Sequence, residues 1–167
     1  MRHIRVFIYL AVAWLLAGCS GYHALYGKGP GGLGVTTALA TVSVPEQHTR
    51  AGQLVRNDLL TAMAGSGERR YDLNLTVTEK TLDVSALSAS NLHRKRYNLV
   101  VHYDLLDVKS GSVLNSGDSF SNVSYDVIRE PVSDLEAANN AQVRAAQELG
   151  ADLRQRIAAY FSSKQPS

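Results

Sequence analysis

Two stretches of this 167-residue chain alternate apolar and polar side chains, and that alternation restricts the fold more than any other feature. In one, Tyr71, Leu73, Leu75 and Val77 are separated by Asp72, Asn74, Thr76 and Thr78. In the other, Tyr97, Leu99, Val101, Tyr103 and Leu105 are set against Arg96, Asn98, Val100, His102 and Asp104. A period of two puts successive side chains on opposite faces of a strand, so each run predicts a strand with one face on a core. The segment Asp107 to Gly111 (DVKSG) has turn chemistry, and Ser112 to Val127 continues with Val113, Val123 and Tyr125 in one phase. A hairpin is the natural reading. Many small polar residues lie between those apolar positions, which suits a strand that lies partly at an edge or bends.

The neighbouring segments supply layers for such a sheet. Ala38 to Val44 (ALATVSV), closed by Pro45, predicts a first strand, because proline donates no ladder hydrogen bond. Thr49 to Met63 spaces Leu54, Val55, Leu59, Ala62 and Met63 along one helical face, with Gly65 and Gly67 beyond its end. Near the carboxyl end, Ser133-Asp134-Leu135-Glu136 fits a capping box after Pro131. Leu135, Ala138, Ala145, Leu149, Leu153, Ile157 and Tyr160 then form a helical stripe that Gln142 interrupts, predicting a helix to about Phe161. The expected fold is α+β, a two-layer sandwich of about four strands with two helices on one face, in the order β-α-β-β-β-α.

Residues 1–18 have the zones of an export signal: a basic start with Arg2 and Arg5, an apolar run from Val6 to Leu16, and small residues before Cys19. Leu16-Ala17-Gly18-Cys19 resembles the bacterial lipobox, in which the cysteine sulfur is acylated after cleavage. Cys19 is the single cysteine of the chain and stands where that motif requires it. The competing reading is a free buried cysteine in an ordinary secreted protein. Either way no internal disulfide can form, and the core must hold the domain unaided. Ser20 follows the anchor, and by analogy with well-studied bacteria this directs the protein to the outer membrane, lipid-anchored and facing the periplasm. Residues 19–36, with the glycine-rich GKGPGGLG from Gly27 to Gly34, are expected to form a tether. A single domain then occupies residues 37–163, and a tail residues 164–167. Removing Arg2 and Arg5 turns 17 basic against 15 acidic residues into an even balance, which gives no footing for nucleic-acid binding.

No catalytic or metal motif emerges. The histidines past the signal (His23, His48, His93, His102) occur singly, no cysteine–histidine spacing exists, and Gly29-Pro30-Gly31-Gly32 lacks the strand and helix that a phosphate loop needs. Asp104 and Asp107 suit a strand end and a turn better than a pair of catalytic carboxylates. The reading is a protein that is not an enzyme and carries no cofactor. One charge feature stands out: His93-Arg94-Lys95-Arg96 closes the polar connection that starts at Leu87. It fits a solvated turn that keeps a strand end soluble, and it equally fits an anion site on a loop, where guanidinium forks grip phosphate oxygens. On a protein anchored in the outer membrane the dense anions at hand are lipid phosphates.

Beyond the lipobox, Gly21-Tyr22-His23-Ala24-Leu25-Tyr26-Gly27 and Arg50-Ala51-Gly52-Gln53-Leu54-Val55-Arg56-Asn57 resemble the lipopolysaccharide-assembly lipoprotein family (LptE-like) in its alphaproteobacterial form. The resemblance continues through Tyr103-Asp104-Leu105-Leu106-Asp107, Gly111, Gly117, Ser124-Tyr125, Arg144-Ala145 and Glu148-Leu149 to Tyr160-Phe161. It implies a domain of two helices on a four-stranded sheet that plugs an outer-membrane β-barrel partner (LptD-like). With that barrel it would insert lipopolysaccharide into the outer leaflet. It also implies lipopolysaccharide binding by basic residues near a strand connection, and Arg94, Lys95 and Arg96 match that description. The long glycine-rich spacer and the 80–95 region depart from the family pattern. A rival reading is a periplasmic auxiliary lipoprotein of another envelope transport or cell-wall machine, docking by its sheet edge with no lipid ligand.

Overall fold

The alternating runs do form strands, and both are longer than their sequence pattern. A computed structural model describes residues 30–63, 67–86 and 93–164. In chain order the elements are α1 (Pro30–Leu39), β1 (Val42–Ser43), α2 (Arg50–Ala62), β2 (Tyr71–Ala86), β3 (His93–Asp107), β4 (Val113–Val127) and α3 (Pro131–Ser163). The strands make one sheet in the order β1-β2-β3-β4, parallel between β1 and β2 and antiparallel elsewhere. This is the expected α+β class, with one helix more than the sequence suggested. The small polar residues of β4 do lie on an edge strand.

The core is the odd-numbered face of the sheet together with the inner faces of α2 and α3. Leu73, Leu99, Val101 and Leu105 from the strands meet Val55, Leu59, Leu149, Leu153 and Ile157 from the helices, all essentially shut off from solvent. Each such side chain is stabilised by about 1.5–3 kcal/mol relative to exposure. Thr49 caps α2: its hydroxyl accepts the Gly52 amide at 3.1 Å. In the β3–β4 turn the Asp107 carboxylate accepts the amides of Lys109 at 2.9 Å and Ser110 at 3.0 Å. Gly111 completes the turn at φ +68°, a conformation that costs glycine nothing. Asp107 is thus the turn residue it was read as.

Four sequence expectations change. The glycine-rich stretch from Pro30 on is helical, with Val35 and Leu39 buried in the core, so the ordered domain begins before residue 37. Burial on α3 outweighs the helix cost of glycine there, about 1 kcal/mol per residue. The first strand is consequently only Val42–Ser43, because Ala38 and Leu39 belong to α1. The capping box at Ser133 is not formed: Glu130 is the N-cap residue, Pro131 opens the helix, and Asp134 accepts the Ile128 amide at 2.9 Å instead. Leu135, expected on the buried stripe, is 62% exposed, since α3 outruns its core contacts until Ala141. Residues 1–29, with the signal segment, Cys19 and the start of the tether, lie outside the described residues.

Candidate functional site

The sheet has one covered face and one open face, and the open face carries a set of polar groups that the strand register brings together. Helices pack against its odd-numbered positions, so the even-numbered residues of β3 and β4 stand on the other side. They form a ladder of opposed pairs: Arg94–Asp126, Arg96–Ser124, Asn98–Asn122, Val100–Phe120, His102–Asp118 and Asp104–Ser116. Val100 is 41% and Phe120 71% exposed.

The basic cluster sits on β3, not on a connecting loop, and strand geometry splits it. Arg94 and Arg96 share the open face, while Lys95 points to the helix side in phase with Tyr97. Arg94 grips Asp126 with both prongs, Nε to Oδ1 at 2.9 Å and Nη2 to Oδ2 at 3.4 Å. Hydrogen bonding and then charge raise the pKa of Arg94 and lower that of Asp126. Lys95 Nζ lies 3.8 Å from Asp83 Oδ1 on β2. Among the described residues Arg96 has no carboxylate within salt-bridge range. The three cations therefore do not converge, and the sheet already answers two of them with carboxylates.

Further along the same face, His102 Nδ1 is 2.8 Å from Asp118 Oδ1, and its Nε2 is 3.7 Å from Asp104 Oδ1. The hydrogen bond to Asp118 raises the histidine pKa first of all, and the charges of Asp118 and Asp104 add to it against partial desolvation. This cross-strand group was not read from the sequence, where His102 and Asp118 are sixteen positions apart. Only the strand register brings them together.

The covered side holds a second polar set that joins sheet to helix. Ser119 and Ser121 of β4 are buried, and their hydroxyls donate to Asp152 Oδ2 and Glu148 Oε2 of α3, each at 2.5 Å. Asp152 also accepts from Arg156 Nε at 2.6 Å. Gln142, the interruption in the α3 stripe, donates to Glu79 Oε2 at 3.1 Å, and the Tyr97 hydroxyl bonds the same carboxylate. These contacts have the character of a register lock between layers.

A hollow of about 410 Å³ beside α1, lined by residues including Ala38, Thr41, Arg70 and Tyr71, gathers no acid–base pair. Among the described residues no group of three or more histidine, cysteine or acidic side chains is placed to hold a metal ion. No described helix is long and apolar enough to cross a membrane.

No family model matches the chain. A protein designated RP188 from Rickettsia prowazekii is 24% identical over 126 residues, spanning 75% of this chain and 80% of that protein. Among solved structures, a Caulobacter crescentus protein designated a lipoprotein superposes with a TM-score of 0.69 at 25% identity. The match covers 79% of this chain and 98% of that one. A minor lipoprotein of Acinetobacter baumannii shares the fold at a TM-score of 0.53 and 13% identity, over 71% and 88% of the respective chains. The helix-on-sheet domain described above is thus a fold found in small bacterial lipoproteins.

Proposed function

We propose that this chain is an outer-membrane lipoprotein, anchored through acylated Cys19, that assembles with an LptD-like β-barrel as its plug and helps to insert lipopolysaccharide. The observation that carries the reading is the position of the single cysteine at the end of a lipobox-like signal, on a chain whose domain has the fold of a Caulobacter protein designated a lipoprotein. A plug inside a polar barrel is held by hydrogen bonds and shape more than by a broad apolar patch. The open sheet face, rich in serine, threonine and asparagine, has that composition. Lipopolysaccharide contact is assigned to Arg94, Lys95 and Arg96, with Arg96 as the member of the cluster free to meet a phosphate.

Recovery of the tagged protein from outer membrane in mild detergent tests the reading. A stoichiometric barrel partner and a triacylated Cys19 in the mass spectrum are expected. Unmodified cysteine in native material would remove the anchor. One observation favours the auxiliary-lipoprotein alternative: Asp126 and Asp83 already answer Arg94 and Lys95, which leaves little free positive charge for a lipid phosphate. Recovery with a periplasmic or cell-wall complex and no barrel would establish that alternative.

A further inference from the structure

Charge on the open sheet face is ordered along the strands. On β3 the outward residues run Arg96, Asn98, Val100, His102, Asp104, so a cation and an anion stand four residues to either side of Val100. At strand rise each is about 13 Å from it. β4 puts Phe120 beside Val100 and Asp118 in the acidic half, while β2 puts Lys80, opposite Asn98, in the basic half. Arg94, further out in the basic half, is neutralised by Asp126. The Val100–Phe120 row between the halves holds two exposed apolar side chains, whereas Leu82 and Leu106 of the same face are half-buried.

We infer that this face pairs with the same face of a second copy about a twofold axis that crosses the strands along the Val100–Phe120 row. Such an axis sets each strand over its own counterpart with reversed direction. Asp104 of one copy then lies over Arg96 of the other, twice by symmetry, and Phe120 meets Phe120. Lys80 falls over the acidic half of the opposite sheet. Sheets stacked face to face lie about 10 Å apart, a gap that arginine and aspartate side chains bridge. The other symmetric stacking, about an axis along the strands, would set Asp104 on Asp104 and Arg96 on Arg96, so charge selects between the two.

The same pattern argues against other occupants. A surface of one sign, such as an anionic bilayer, would be attracted by Arg96 and Lys80 but repelled by Asp104 and Asp118. A face whose charge inverts about its own apolar row is complementary to itself. With only two exposed apolar side chains per copy at its centre, the contact is small and salt-sensitive. The pairing does not rest on the barrel reading: it claims the same open face, so a second copy and a barrel wall are alternative occupants of it.

Sedimentation of the full chain, purified from membranes in detergent, tests the dimer across a range of protein and salt concentrations. A monomer–dimer equilibrium that weakens with salt is expected. Asp104→Arg and Arg96→Asp should each weaken it by about tenfold or more, and the double swap should restore it to within about threefold. A bismaleimide linker of about 10 Å should join copies carrying Phe120→Cys readily and copies carrying Ser116→Cys poorly, because Ser116, opposite Asp104, lies four residues off the axis. Circular dichroism checks that the exposed substitutions leave the fold intact. A chain that stays monomeric throughout, single swaps without effect, or a double swap as weak as the singles would each overturn the pairing.

Discussion

Gly150 of α3 faces Asp58 of α2 with no room for a side chain: a Cβ added to Gly150 would stand 2.1 Å from Asp58 Oδ2 and 3.0 Å from Asp58 Cβ. The carboxylate can swing aside, but its Cβ is fixed to the α2 backbone. The two helices therefore cross at a glycine for steric reasons. Gly150→Ala gains about 1 kcal/mol of helix propensity and forces a repacking that costs about 1–3 kcal/mol. A lower melting temperature is expected. A raised one would show that the helices part without cost.

Ser119 and Ser121 are polar residues at core positions, each bonded to a carboxylate of α3. Ser121→Ala removes the hydroxyl donor from Glu148, and Ser119→Ala leaves Asp152 with Arg156. A charge-assisted hydrogen bond contributes about 1.5–3 kcal/mol when sheltered, and these carboxylates reach solvent, so about 1 kcal/mol per substitution is expected. Chemical denaturation of both variants, and of Ser121→Ala with Glu148→Ala as a double-mutant cycle, measures it. A coupling energy of zero would reduce the contact to coincidence.

His102 makes stability at the open face depend on pH, and the sign follows from its partners. Asp118, bonded at 2.8 Å, and Asp104 raise its folded pKa above the unfolded value of about 6.5. The stabilisation is thus fully present below the unfolded pKa and is lost as pH rises through the higher folded one. Titration of the His102 ring by NMR should place its midpoint above that of an unfolded histidine, and Asp118→Asn should bring it down. An unchanged midpoint in that variant would detach the shift from Asp118.

The parts of the fold that were legible in the sequence are those in which one local period decides burial. Leu73, Leu99 and Leu105 announced the covered face because a half-buried strand has period two. What local patterns hid was partnership over distance. Arg94-Lys95-Arg96 reads as a loop when seen alone, since three adjacent cations repel, and it is a strand because Asp126 lies opposite Arg94 and Asp83 near Lys95. Gln142 looked like a flaw in the α3 stripe and is instead the residue that reaches Glu79, 63 positions away. The glycines after Pro30 read as a tether because their own propensity is poor, whereas Val35 and Leu39 downstream draw the segment onto the core.

If the basic cluster contacts lipopolysaccharide, its three members should contribute unequally, in an order set by their existing partners. Arg96 shares the open face with Arg94 but has no carboxylate in reach among the described residues, so Arg96→Ala should weaken binding most, by about threefold or more. Lys95 lies on the helix side near Asp83, and Lys95→Ala should change binding least. Arg94 is held by Asp126, so the informative variant there is Asp126→Asn, which releases the guanidinium and should strengthen binding. Lipopolysaccharide binding by the purified full chain at two salt concentrations, dilute enough to keep the protein monomeric, with melting as the control for folding, reads all three. Equal losses at all three cations would mean that general positive charge, not strand geometry, governs the contact. No loss at Arg96 in a folded variant would leave the open face without a lipid phosphate.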